Sequence, residues 1–351
     1  MTRRPRATIR LDALRHNLQV ARRAAPRARL MAVVKADAYG HGMVPVAEAI
    51  AGEVDAFAVA SPGEGLALRA AGIDRPILVL HGALDADEVA AARAARLTLV
   101  VHHPDQLALH LAGAAPEAWV KIDTGMGRLG LPAEAGAAAC RRLGAACTGV
   151  LSHLANADQP DHPANARQLA RFRQATAGLE RPRSLANSAA LLSAPPMHFD
   201  WVRPGLMLYG TSPLQGRTAA ELGLRPVMQL TAPLIAVHRR RAGQAIGYGS
   251  EWTCPEDMPV GVVAIGYGDG YPRHAPSGTP VRVGGVEVPL IGRVSMDSLC
   301  IDLRGCPQAR IGEPVQLWGD DLLVERIAER AGTIGYELLC AAGARCERVW
   351  R

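Results

Sequence analysis

Residues 30–42 read LMAVVKADAYGHG. The first five are apolar with no polar alternation, the pattern of a strand buried on both faces. Lys35 follows at once, and a Tyr-Gly-His-Gly break (39–42) separates it from an apolar, Ala-containing helical stretch at 43–51. No G-x-G-x-x-G follows the strand, so the unit does not open a dinucleotide-binding sheet. Outward from this unit the same alternation recurs. Apolar runs at 56–60, 76–80, 97–101, 118–122, 148–152, 183–186 and 201–203 read as further strands. Between them, 63–71, 86–95, 104–112, 133–143, 165–178 and 188–193 read as helices. Eight strand–helix alternations predict an N-terminal (β/α)8 TIM barrel rather than an open doubly wound sheet.

The chain changes character near residue 225. Of its 62 alanines, 50 lie in residues 1–225, whereas half of its 14 aromatics fall in the last 126 residues. From 226 onward, strand-like runs at 228–237, 259–265, 280–283, 286–290, 298–303 and 314–318 are punctuated by Pro and Gly, with a late helix at 322–331. The expected organisation is a barrel over 1–225 and a β-rich C-terminal domain over 226–351. The net charge of +6 is dispersed, and the densest basic stretches, near Arg3 and near Arg240, lack interleaved aromatics. Nucleic acid is therefore not an expected partner. No apolar run approaches the ~20 residues of a membrane span, and no apolar segment follows the basic N-terminus as in a signal peptide. Seven cysteines without C-x-x-C spacing read as free thiols in a reducing, cytoplasmic setting.

Barrel chemistry gathers where the strands end. Of 39 cationic residues only Lys35 and Lys121 are lysines, and only an ammonium can give up its proton. Lys35 emerges from a packed strand end, where desolvation lowers an amine pKa and permits Schiff-base chemistry; the alternative is a lysine that snorkels at the rim. Asn187-Ser188 and Gly205-Leu206 follow the last two strands, where barrels often bind phosphate, although Asn and Ser are also ordinary helix caps. Arg203 either pairs a carboxylate or donates to a cofactor ring nitrogen. His153 reads as a base, a stacking group or a satisfied core histidine. His41, His102 and His103 form no ligand set with nearby Cys or carboxylates, so no metal is expected.

Segments across the whole chain then resemble one family. AVVKADAYGHG (32–42), VKIDTGMGRLG (120–130), SHLA (152–155), ANSAA (186–190), VRPGLMLYG (202–210), GYG (247–249), IGYGDGYPR (265–273), GRVSMD (292–297) and GYE (335–337) are similar, in this order, to alanine racemases. The resemblance implies a fold-type III pyridoxal-phosphate enzyme, a barrel followed by a β-rich domain, acting on alanine as a homodimer with shared active sites. It implies that Lys35 binds the cofactor covalently and serves as one base, with Tyr248 of the partner subunit as the other. Arg203 would meet the pyridine nitrogen, and Tyr39, Ser188, Gly205, Leu206 and Tyr336, beside Asn187, would hold the phosphate. Arg128 and the backbone of Met296 would hold the substrate carboxylate; Tyr267 and Asp297 would line the passage to it. Lys121 is similar to the family's carbamylated lysine, and His153 would bond both Arg203 and Tyr248. Some members carry histidine where this chain has Ser184, which points to looser support behind Arg203.

Racemisation moves a proton from one face of Cα to the other, so one base per face is the economical geometry. A tyrosine hydroxyl ordinarily holds its proton to a pKa of about 10, and cationic neighbours favour the phenolate. An arginine against the ring nitrogen leaves that nitrogen unprotonated. The sequence leaves open a broader amino-acid or serine racemase on the same scaffold, and a non-catalytic pyridoxal-phosphate-binding protein. A decarboxylase of the same plan expects a carboxylate where Arg203 stands. A role in making D-alanine for cell wall and a catabolic one are equally compatible.

Overall fold

The protein is described by a computed structural model over residues 5–113, 115–342 and 345–351. Its first strand, β1 (Arg6–Ile9), does not enter the barrel. The barrel is a closed ring of eight parallel strands: β2 (Arg29–Val33), β3 (Ala56–Val59), β4 (Ile77–Val79), β5 (Thr98–Val101), β6 (Ala118–Lys121), β7 (Cys147–Leu151), β8 (Arg183–Ser184) and β9 (Trp201–Val202). Closure is made by β9 against β2, with Arg29 opposite Trp201 and Leu30 opposite Val202. Strands β3, β4 and β6 are buried at every position, as a parallel sheet covered by helices requires. Each fully buried Val, Leu or Ile contributes about 1.5–3 kcal/mol of transfer free energy. The last two strands are shorter than the apolar runs suggest. Asn187 already caps the next helix through its side chain, and Pro204 has no N–H to continue a ladder.

The second half joins β1 in an eight-stranded sheet, in the order β13 (Met258–Val263), β16 (Leu299–Asp302), β15 (Val286–Ile291), β14 (Pro280–Val283), β17 (Pro314–Trp318), β10 (Met228–Arg240), β1 and β18 (Glu347–Trp350), plus a small hairpin of β11 (Ala245–Ile246) and β12 (Trp252–Thr253). Its seam is β10 (Met228–Arg240), which pairs with β1, with β13 (Met258–Val263) and with β17 (Pro314–Trp318) at successive points along its length. β14 (Pro280–Val283), β15 (Val286–Ile291) and β16 (Leu299–Asp302) complete it, and β18 (Glu347–Trp350) runs parallel to β1. The expected late helix is Val324–Arg330. β1, β18, the hairpin and the helix Gly335–Ala341 were not legible in the sequence, being short and set by partners far along the chain. Among the described residues no helix is long and apolar enough to cross a membrane, and all seven cysteines are free.

Candidate active site

Among the described residues, the turn after β2 holds the longest run of non-glycine residues at positive φ. Ala36, Asp37, Ala38 and Tyr39 all have φ of 53–54°, four consecutive non-glycine residues in left-handed conformation. Each such residue costs about 1–2 kcal/mol, so the turn persists only because its surroundings impose it. Glu64 anchors its start, accepting Ala36 N–H at 2.8 Å while its other oxygen takes Ala60 N–H at 2.6 Å and completes a capping box with Ser61. Asp37 accepts Met43 N–H at 2.7 Å and pairs with Arg348. Trp350 donates its indole N–H to His41 O at 2.8 Å. His41 is fully buried, with Nδ1 on the carbonyls of Ala38 and Tyr39. The Tyr39 ring stacks on Tyr209 (4.8 Å between centroids) and lies 6.0 Å from Tyr336. Thus β18 and the helix Gly335–Ala341 hold in place the turn that begins at Lys35.

Lys35 is half-buried at the strand end, and its ammonium makes no hydrogen bond among the described residues. Burial lowers its pKa, and Arg128 lowers it further against the opposing effects of Glu64 and Cys340. Lys121, only 8% exposed at the end of β6, is held down to about 8, first by burial and then by Arg203, Arg128 and Lys35. Arg203 is buried and has no carboxylate partner among the described residues. It donates to Ser184 Oγ at 2.6 Å, to Ser152 O at 2.7 Å and to Leu185 O at 3.3 Å. Ser184 therefore supports Arg203 directly. Burial pulls the guanidinium down to about 10.

Arg203 Nη2 also meets His153 Nδ1 at 3.3 Å. Arginine only donates, so Nδ1 accepts and the proton of the neutral ring sits on Nε2. Burial first, then Arg203, Lys121, Arg128 and Lys35, push the His153 pKa well below its ordinary value. The mouth thus gathers four cations around a neutral imidazole, with Asp123 as the nearby carboxylate acting on Lys121. Such a site is built to receive anions.

A cluster of backbone N–H groups and small polar side chains lies beside it. Ser188 Oγ accepts Gly205 N–H at 2.8 Å and Met207 N–H at 3.4 Å. Asn187 caps the short helix Ser188–Ser193 by accepting Ala190 N–H at 3.1 Å. Leu206 N–H has no partner among the described residues. A Cβ on Gly205 would stand 2.6 Å from Tyr39 Oη, so only glycine lets the tyrosine hydroxyl approach this backbone.

The remaining expected residues lie on the β-rich half. Tyr248 is 69% exposed, Met296 52% and Tyr267 40%. Tyr267 N–H donates to Ser295 O at 3.0 Å and Gly268 N–H to Met296 O at 2.9 Å, which brings Tyr267, Met296 and Asp297 together. Tyr248 sits between Gly247 and Gly249, both at positive φ and close to Arg293. Within one chain neither Tyr248 nor Tyr267 contacts Lys35, His153 or Arg203 through a hydrogen bond or ring contact among the described residues. Arg128 is exposed on the loop after β6, which Asp123 folds by accepting N–H groups of Gly125, Met126 and Gly127.

Two family patterns match in tandem: "Alanine racemase, N-terminal domain" over residues 9–213 and "Alanine racemase, C-terminal domain" over 227–350. The chain belongs to the alanine racemase family. It is 50% identical to the alanine racemase of Halorhodospira halophila over 99% of this chain and 98% of that one. It is 48% identical to the biosynthetic alanine racemase of Escherichia coli K12 over 96% of each. The crystal structure of biosynthetic alanine racemase from Pseudomonas aeruginosa superposes with a TM-score of 0.96 at 44% identity, covering both chains completely. The residues that carried the resemblance now have positions in this alanine racemase fold: one set converges at the barrel mouth, the other on an exposed face of the β-rich half. Glu64, Arg348 and Trp350 support the site without having been singled out. The S-P-G-E capping pattern at 61–64 was a signal for Glu64; Arg348 and Trp350 had none, because their partners lie more than 300 positions away. Among the described residues no group of His, Cys, Asp and Glu could hold a metal ion.

Proposed function

We propose that the chain interconverts L- and D-alanine with pyridoxal phosphate, as a homodimer whose active sites combine one protomer's barrel mouth with the partner's β-rich face. The carrying observation is the cluster of Lys35, His153 and Arg203, which has no ion-pair partner among the described residues and adjoins the Ser188–Gly205–Leu206 cradle. That donor set fits the cofactor: an amine of lowered pKa, an obligate cation for the ring nitrogen, and a glycine backbone that leaves room for the Tyr39 hydroxyl. Lys35, Tyr39, His153, Asn187, Ser188, Arg203, Gly205, Leu206 and Tyr336 would hold it. When bound, pyridoxal phosphate conjugates the substrate amine to an electron-withdrawing ring and so acidifies Cα.

The chain's own groups then do the rest. The Lys35 amine takes or returns the proton on one face of Cα, and Tyr248 of the partner subunit does so on the other. The exposed position of Tyr248 supports this reading, since a base facing outward serves only a neighbouring site. The His153 Nε2–H is free to donate to that tyrosine's oxygen and stabilise it as phenolate, with Arg203 adding charge. Arg203 keeps the ring nitrogen unprotonated, which moderates electron withdrawal and holds back transamination. Arg128 and the backbone of Met296 hold the substrate carboxylate, while Tyr267 and Asp297 line the passage. Lys121 lies among cations without a hydrogen-bond acceptor among the described residues, and its lowered pKa leaves part of it as free amine. Carbamylation by CO2 would reverse its charge and orient Arg128. The biosynthetic naming of the Escherichia coli and Pseudomonas aeruginosa relatives supports supply of D-alanine for cell wall, and free cysteines support a cytoplasmic setting.

Gly205→Ala is expected to weaken cofactor binding without unfolding the barrel. Overpacking at such a contact costs about 1–3 kcal/mol, which corresponds to roughly tenfold or more in cofactor Kd by absorbance titration. An unchanged Kd would remove Gly205 from the cradle. The function itself is tested by incubating the protein with pyridoxal phosphate and L-alanine in D2O. Loss of optical rotation together with Cα deuteration is expected; an unchanged, fully protonated L-alanine would refute the reading.

A further inference from the structure

The two loops that present Tyr267 and Asp297 touch through few backbone contacts. Beyond the Tyr267 and Gly268 N–H bonds already described, they meet at Gly266, where a Cβ would lie 2.2 Å from Ser295 O and 2.4 Å from Met296 O. A side chain adds a further tie. Arg345, on the approach to β18, sets Nε 3.3 Å from Asp269 Oδ1 and Nη2 2.7 Å from Asp297 Oδ1. Asp269 is 5% exposed, and its second oxygen accepts Gly266 N–H at 3.0 Å. The guanidinium also lies against the first loop's backbone, since a Cβ on Gly268 would come within 2.4 Å of Arg345 Nη1.

One guanidinium therefore joins the buried carboxylate inside the Tyr267 loop to the exposed carboxylate of the Met296–Asp297 loop. A lone exposed ion pair contributes little, because water screens it. This arrangement differs in that one carboxylate is buried and would be left without its counter-charge if Arg345 were removed. A planar fork can serve two carboxylates at once; a lysine ammonium, a point charge, cannot match both directions. Asp297 has no other hydrogen-bond or ion-pair partner among the described residues.

We propose that Arg345 is a positioning residue of the substrate passage: it fixes Tyr267 and Asp297 relative to one another and thereby sets how readily an amino acid reaches the barrel mouth. The inference rests on the reading that these two residues line the passage. It places Arg345 outside the group that touches substrate, so its removal acts on binding and access more than on proton transfer.

The test compares wild type, Arg345→Ala and Arg345→Lys in the pyridoxal-phosphate-loaded enzyme. Two quantities are read: kcat and KM for both alanine enantiomers, and backbone hydrogen exchange. Arg345→Ala is expected to raise KM about tenfold, the effect of losing a charge-assisted contact, with kcat within about twofold. Exchange should accelerate in 266–270 and 295–298 and stay unchanged in the barrel. Arg345→Lys, which keeps the charge but not the fork, should fall between the two. An unchanged KM in Arg345→Ala, or acceleration spread over the whole chain, would overturn the proposal. Wild-type turnover separates the two claims: absence of turnover in wild type sinks the racemase reading, while turnover with an unaltered KM in the variant sinks this one. The exchange comparison decides the positioning of the loops whatever the turnover.

Discussion

Lys35→Ala is expected to eliminate racemisation, with kcat/KM falling by at least about a thousandfold. In the proposed reading the substitution removes the covalent attachment point and one of the two bases, and a single general base alone contributes about 10²–10⁴. Stability should not fall with activity. The Lys35 ammonium has no hydrogen bond among the described residues, and burial disfavours its charge. Removing a half-buried, unpaired cation is expected to leave the melting temperature equal to wild type or higher. Polarimetry and a thermal melt on the same preparation check both halves of the statement. Activity within tenfold of wild type would mean that Lys35 is a rim lysine after all.

Tyr248→Phe carries the second large effect. The substitution deletes one hydroxyl from a side chain that is 69% exposed in the protomer, so a change in monomer folding is not expected. Racemisation should nevertheless drop by about 10²–10⁴, because proton transfer on one face of Cα is lost. The loss should be lopsided. Each base serves one face and therefore one enantiomer, so Lys35 should still exchange the Cα proton of one alanine enantiomer with solvent. Deuterium uptake measured separately for L- and D-alanine is expected to persist for one and vanish for the other. Equal loss of exchange in both enantiomers would argue for a single base.

The fold was legible because the strands announce themselves. Runs such as LMAVV and TLVV are apolar without alternation, and the helices between them keep regular spacing, so eight units could be counted. Physical proximity at the strand ends then brought Lys35, Lys121, His153 and Arg203 to one mouth, as their positions after successive strands predict. What the sequence did not disclose depends on contacts between distant segments. β1 belongs to the sheet of the second half because β10 and β18 offer it partners, and no local pattern in four residues encodes that choice. The left-handed turn at 36–39 is likewise invisible locally, since Ala and Tyr disfavour it; it exists because Glu64, Arg348 and Trp350 hold its two ends. Ser184 shows the same limit. Its hydroxyl accepts from Arg203 at 2.6 Å, a contact between strand ends that the residue type alone does not announce.

The proposed shared site can be tested by mixing. Lys35→Ala and Tyr248→Phe homodimers are each expected to be inactive in racemisation. In a hybrid dimer one site receives both substitutions, and the other receives an intact Lys35 from one protomer and an intact Tyr248 of the partner subunit. Random reassortment of equal amounts makes about half the dimers hybrid, so about a quarter of all sites should be restored. After subunit exchange, racemase activity near a quarter of the wild-type value is the predicted result. No activity above the sum of the two parents, in a mixture shown to contain hybrid dimers, would contradict the claim that the two bases come from different protomers.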